Sequence, residues 1–403
     1  MTLDAAERRS LEAVCQALLP RTGGSSDEPV LRLGADDLRV ADAVAQAIAI
    51  LGERQQRELR LFLRLLDSPA FMVIAARRHS AFATLDPESR ERALLTMASH
   101  PLPVIRTGFQ ALKRLSTFLF YSVVDERGTN PVLPSLGYRV PGPHPARPAV
   151  KVTRIGEKTT LTADVCVIGS GAGGSVVAAQ LAAAGREVLV LEAGPPDQAP
   201  DYDQREVVGM QRLYLDQGTT ATRDLGIAIL AGSSVGGGTT VNWQTSLRTP
   251  DFIRDEWAES SGVRAFADET FTRSLDAVCQ RLGVGTGESE RNANNSALER
   301  GCAALGYRWS VIPRNAKGCD LAECGFCVFG CRVGGKQSTT VTYLADAQRA
   351  GRTTIVASCR ANALVVKSGR VTGVHAEVTG ADGKRFALQV KAPLVVVAAG
   401  ALE

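Results

Sequence analysis

No apolar run in the 403-residue chain approaches the 18 or more residues of a membrane-spanning helix, so no helical span is expected. Nor is there a basic stripe or cluster. The 46 Lys and Arg residues are spread along the chain and nearly balanced by 42 Asp and Glu, leaving a formal net charge of +4, which argues against a nucleic-acid partner. The nine cysteines are an odd number, which does not suit a paired secreted framework. After Arg8-Arg9 comes Ser10-Leu11-Glu12 where a secretory or twin-arginine signal would need an apolar stretch. A cytoplasmic location is therefore expected. Aromatic residues make up only 5% of the chain. Their densest run with aliphatics, Thr117 to Val124, is read as core packing, with peripheral membrane contact as the alternative.

What is present is an ordinary globular balance, 45% hydrophobic and 22% charged, enough to bury a sizeable core. At roughly 150 residues per domain, two or three domains are expected. Residues 1–127 carry helical periodicity. Leu11, Val14, Cys15 and Leu18 share one face of a helix ending before Pro20, and Leu38, Val40, Val44, Ile48 and Leu51 suggest another closed by Gly52. Leu59 to Leu66 and Ser89 to Ala98 give two more; His79 and His100 stand apart from any catalytic pattern. Residues 128–150 form a proline-rich connector, because proline fixes φ and removes backbone donors. Residues 151–403 change character. Val165 to Ile168 and Val188 to Leu191 are short apolar strands flanking a small-residue helix, Ser175 to Ala184, closed by Gly185. Residues 265–310 look mainly helical. Ala361 to Val366, Val371 to Val378 and Phe386 to Val390 form a three-strand meander, followed by a last apolar strand, Leu394 to Ala399.

Two glycine-rich stretches carry the chemistry. Gly169-x-Gly171-x-x-Gly174 follows a strand and opens a helix. There the first glycine allows a tight turn, the second lets backbone approach a pyrophosphate, and the third lets helix pack on strand. Glu192 ends the next strand, placed to accept hydrogen bonds from an adenosine ribose. In Gly232-Ser233-Ser234-Val235-Gly236-Gly237-Gly238-Thr239-Thr240-Val241-Asn242-Trp243, glycines permit close backbone approach, while hydroxyls and Asn242 can bond a polar ligand. A meander followed by an apolar strand ending in Gly400-Ala401 favours FAD over NAD, because an NAD domain would continue in regular βα repeats.

With these motifs the sequence resembles the glucose–methanol–choline (GMC) oxidoreductases over residues 164–401, and within them the long-chain fatty alcohol oxidases. The subgroup likeness rests on Cys324-Gly325-x-Cys327-x-x-Gly330-Cys331 followed by Gly335-Lys336-Gln337-Ser338-Thr339 and Tyr343-Leu344-x-Asp346-Ala347. The resemblance implies an α/β fold: a two-part Rossmann-like FAD-binding domain with a β-meander, preceded by an all-α domain. It implies oxidation of a long-chain or hydrophobic alcohol to an aldehyde or ketone by hydride transfer to flavin, which oxygen or another acceptor reoxidises. The cofactor-binding residues it points to are Gly169, Gly171, Gly174, Glu192, Gly232, Ser233, Gly236, Gly237, Thr239, Asn242, Gly400 and Ala401, with Asn242 near the flavin ring.

One departure stands out. The family's active-site histidine follows the Ala-Gly return, and this chain's late histidine, His375, lies mid-strand in the meander, where a structural role is favoured. The catalytic base is thus expected beyond Glu403, or on a partner chain supplying that region. The chain would then be a C-terminally incomplete FAD-binding fragment. The cluster Cys319, Cys324, Cys327 and Cys331 is spaced tightly enough for a metal or an iron–sulfur centre, which would make the protein a dehydrogenase passing electrons to a quinone or cytochrome. Buried or disulfide-capable cysteines are the preferred reading.

Overall fold

The computed structural model describes residues 3–22, 32–124, 128–138, 148–223, 226–319 and 324–402. These fall into two compact units, residues 1–140 with 221–229, and residues 141–220 with 230–403. Much of the proline connector, residues 139–147, lies outside the described residues.

The first unit is helical among its described residues: Ala5–Leu18, Val40–Ile50, Glu53–Leu66, Pro69–Ala76, Pro87–Ala98 and Pro103–Phe120. Two of these are not evident from periodicity although their starts are signalled. Pro69 follows Ser68, whose hydroxyl accepts the Phe71 N–H, and Pro103 occupies a first helical turn, where its missing N–H costs nothing. Leu11, Leu63, Leu66, Met72, Phe82, Met97 and Leu112 fill one core. Phe120 joins it, so the aromatic run beginning at Thr117 packs inward in part, while Tyr121 and Val124 stay exposed. His100 serves the local backbone, with Nδ1 accepting the Leu102 N–H at 3.1 Å and Nε2 lying 3.0 Å from the Ile74 carbonyl.

The second unit is α/β. A parallel sheet runs in the order β4-β3-β2-β8, from Thr353–Val356 (β4), Val188–Leu191 (β3), Val165–Ile168 (β2) and Leu394–Val397 (β8). The helix Ala172–Ala183 makes the crossover from β2 to β3. Strand residues alternate between faces. Val165, Val167, Val188, Val190 and Ile355 pack with Ala178, Ala182, Leu344 and Ala347 of two helices; Cys166, Leu189, Leu191 and Val356 pack on the opposite side. That side meets a second sheet, ordered β1-β7-β6-β5 and built from Thr159–Thr162 (β1), Arg385–Lys391 (β7), Arg370–Thr379 (β6) and Cys359–Lys367 (β5). The expected three-strand meander is therefore a four-stranded sheet, β1 adding a parallel edge to β7. The unit is a Rossmann-like α/β fold with helix, parallel-sheet and meander layers.

The crossover helix begins at Ala172, not at Ser175 as its side-chain pattern suggests. Gly173 and Gly174 carry no side chain to mark a helical face, yet take helical backbone behind the extended N-cap Gly171. Its end is as expected, because Gly185, at φ +80°, terminates it.

Candidate functional site

Strand β2 delivers the chain into the glycine turn at Ile168, and three backbones crowd there. Gly169 has φ +99°, and a Cβ on it would sit 2.3 Å from the Ala398 carbonyl oxygen, at the end of β8. A Cβ on Gly174 would lie 2.1 Å from the Gly169 carbonyl oxygen. One on Gly237 would come within 2.8 Å of Gly171 Cα. These positions exclude side chains, and they bring the return strand and the Gly232 loop against the turn.

Ser170 and Glu192 tie this arrangement together. The buried Glu192 Oε2 accepts the Ser170 N–H at 3.0 Å and the Ser170 hydroxyl at 2.6 Å, while Oε1 accepts the Gly194 N–H at 2.8 Å. Ser170 Oγ in turn accepts the Gly236 N–H at 2.9 Å. The relay runs from the glycine loop through Ser170 to Glu192. Three donors act on a carboxylate with about four lone-pair sites, leaving capacity for a further donor from a ligand.

A cavity of about 420 Å³ opens beside the relay. Among the residues singled out in the sequence, Gly169, Gly171, Glu192, Gly232, Ser233, Gly237, Gly400 and Ala401 line it. The other four do not. Gly174 packs helix on strand. Gly236, at φ +94°, turns the loop, and the Thr239 hydroxyl donates to the Gly236 carbonyl at 2.6 Å. Asn242 is exposed, with Oδ1 accepting the Gln244 N–H at 3.1 Å. Cys359, Arg360 and Ala361, at the start of β5, also line the cavity, and no motif marks them; they follow β4, a strand the sequence pattern does not reveal.

The N-terminus of the 12-residue helix Ala172–Ala183 enters the cavity wall through Ala172 and Gly173, with no side-chain cap on its first N–H groups. Free N–H groups and the positive end of a helix dipole suit a phosphate. A glycine-walled cradle at that end, with a carboxylate of spare acceptor capacity, has the donors and the acceptor that a dinucleotide's phosphates and hydroxyls require.

Among the described residues no three His, Cys, Asp or Glu side chains gather to hold a metal; residues 320–323, between Cys319 and Cys324, lie outside them. Cys331 Sγ accepts the Lys336 N–H at 3.3 Å, and Cys319 Sγ lies 3.4 Å from Arg314 Nη2. Lys336 stands out in the sequence only as part of a motif, yet it is 1% exposed, its ammonium donating to the carbonyls of Asn242 (2.6 Å), Thr240 (2.8 Å) and Cys327 (2.8 Å). His375 is exposed on β6, opposite Gln389 of β7, and does not line the cavity. No described helix is long and apolar enough to cross a membrane.

Fold and topology together define a Rossmann-like α/β protein, and residues 167–196 match the NAD(P)-binding Rossmann-like domain. Residues 210–403 match the GMC oxidoreductase family, so that stretch is similar to the family's domain. It is 31% identical to the long-chain-alcohol oxidase FAO4A of Arabidopsis thaliana over 80% of this chain and 51% of that protein. It is 30% identical to the long-chain-alcohol oxidase FAO4B of the same plant, over 98% of this chain and 60% of that protein. An uncharacterized GMC-type oxidoreductase of Mycobacterium tuberculosis, Rv0492c, is 32% identical over 79% of this chain and 49% of its own length. The chain thus spans about half to three-fifths of the length of these relatives.

Proposed function

We propose that the chain forms the FAD-binding portion of an oxidoreductase acting on CH–OH groups, with a long-chain or hydrophobic alcohol as substrate. One observation carries the cofactor assignment: the fingerprint turn, Glu192, the Gly232 loop and the Gly400 return, scattered over more than 230 residues, meet around one cavity. Bound there, FAD would accept a hydride from the alcohol carbon, and oxygen or another acceptor would reoxidise it. The protein's share is positional. Gly169 and Gly171 let the backbone meet the pyrophosphate, the uncapped helix N-terminus offers donors to it, and Glu192 holds the turn while accepting from the ribose. Gly232, Ser233 and Gly237 flank the flavin side. The substrate class rests on likeness to proteins named long-chain-alcohol oxidases. No described residue on the cavity wall is a histidine.

The test is an ultraviolet–visible spectrum of the purified chain with iron analysis on the same sample. A two-banded flavin spectrum, native or after addition of FAD, without iron, is the expected result. Iron with broad cluster absorption would move the reading to an electron-transferring dehydrogenase. A folded chain that takes up no FAD would overturn the cofactor assignment.

A further inference from the structure

A buried lysine is expensive. An ammonium withdrawn from water costs several kcal/mol, offset only when its protons are all well bonded, and an apolar side chain of similar volume would fill the same space without that cost. Lys336 meets the condition in full. An ammonium has three protons, and three backbone carbonyls receive them, at 2.6, 2.8 and 2.8 Å. Two of those carbonyls, Thr240 and Asn242, stand at the C-terminal end of the short helix Gly238–Val241, whose last carbonyls have no partner within so short a helix. The third belongs to Cys327 in the cysteine segment, 87 residues further along the chain.

The opposite end of that short helix is cavity wall: Gly237 and Gly238 line it, with Gly237 against Gly171. We propose that Lys336 is a positioning residue that pins the Gly232 to Trp243 loop to the cysteine segment and so fixes the loop's glycines against the cofactor cavity. The segment bearing Cys327 is then a brace for that loop, a role its cysteine spacing does not suggest. Lys336 touches no cavity atom and acts through backbone alone. As a statement about FAD binding this rests on the function proposed above; as a statement about the loop it does not.

The experiment compares the full chain with Lys336→Met, which keeps bulk and removes every donor, and Lys336→Arg, which restores charge and donors. Amide hydrogen exchange is followed by mass spectrometry without FAD, and FAD affinity by flavin fluorescence titration. Lys336→Met is expected to raise exchange at least ten-fold in peptides covering residues 238–243 and 326–331, leave those of β2 and β3 unchanged, and weaken FAD binding at least ten-fold. Lys336→Arg should recover part of both effects. Unchanged exchange in the two segments would overturn the proposal, as would local loosening with native FAD affinity. Should Lys336→Met not fold, the Arg variant decides: exchange raised only in the two segments supports the brace, and exchange raised everywhere or nowhere overturns it. A native chain that binds no FAD would sink the proposed function, while the exchange comparison would still decide the brace.

Discussion

At the scale of single residues, Glu192 holds backbone and hydroxyl partners that the sequence does not suggest. Its place at the end of a strand indicates a ribose acceptor. That it also clamps Ser170 and Gly194 is not legible, because neither partner follows from spacing; the bonds exist only once β2 and β3 lie side by side. Hydrogen bonds to a charged group are worth about 1.5–3 kcal/mol each, and an amide would turn a donor toward one of the N–H groups it now accepts. Glu192→Gln should therefore lower stability by about 2 kcal/mol in urea unfolding and weaken FAD binding at least ten-fold. Stability kept with affinity lost would assign Glu192 to the ligand alone. The thiols answer to burial in the same way. Burial pushes Cys15 up to about 11 and Cys166 and Cys359 up to about 12, and raises Cys327 as well. With little thiolate at pH 8, these four buried thiols should resist an aromatic disulfide reagent until the chain unfolds, while the five half-buried ones react in the native state. Rapid modification of Cys166 or Cys359 in folded protein, located by mass spectrometry, would contradict the packing of the two sheets.

At the scale of elements, long amphipathic stretches and the glycine turn can be read from the chain, and short partners cannot. The helices around Leu11, Val44 and Leu63 show their buried faces at helical spacing, and the meander announces itself through Gly369 and Asp382-Gly383. Strands β1 and β4 are four residues each and begin with paired threonines, too short to display alternation; their pairing in parallel with distant strands makes them strands. The cavity residues at the start of β5 escape sequence reasoning for that reason. The crossover helix gives a prediction that separates folding from binding. At Gly173 a Cβ meets nothing within 4 Å, and the residue is helical, so Gly173→Ala should stabilise the chain by about 0.5–1 kcal/mol. Gly173 also lines the cavity at the helix N-terminus, so the added methyl should obstruct the pyrophosphate and reduce FAD affinity at least ten-fold. Gly169→Ala behaves otherwise: positive φ and the Ala398 carbonyl at 2.3 Å should make it lose both stability and binding. Thermal unfolding and flavin titration on the two variants check the contrast. A Gly173→Ala chain that is more stable and binds FAD normally would move the pyrophosphate away from this helix.

At the scale of the whole chain, each unit has its own apolar interior. The first is filled by Leu11, Leu63, Met72, Phe82 and Leu112; the second by the two faces of the parallel sheet. Every cavity residue belongs to the second unit. A ligand that binds only the native form stabilises what it binds by RT ln(1 + [L]/Kd), about 2.7 kcal/mol at a hundred-fold excess over Kd. That free energy should appear where the bonds are made. With saturating FAD, hydrogen exchange through global opening of the second unit should slow by about a hundred-fold in the peptides of β2, β3, β4 and the helix Ala172–Ala183. The peptides of Ala5–Leu18, Glu53–Leu66 and Pro103–Phe120 should keep their rates, since no residue of theirs reaches the cavity. Equal protection of both sets would mean that the chain opens as one cooperative body, and the division into a helical unit and a cofactor unit would then describe packing without describing stability.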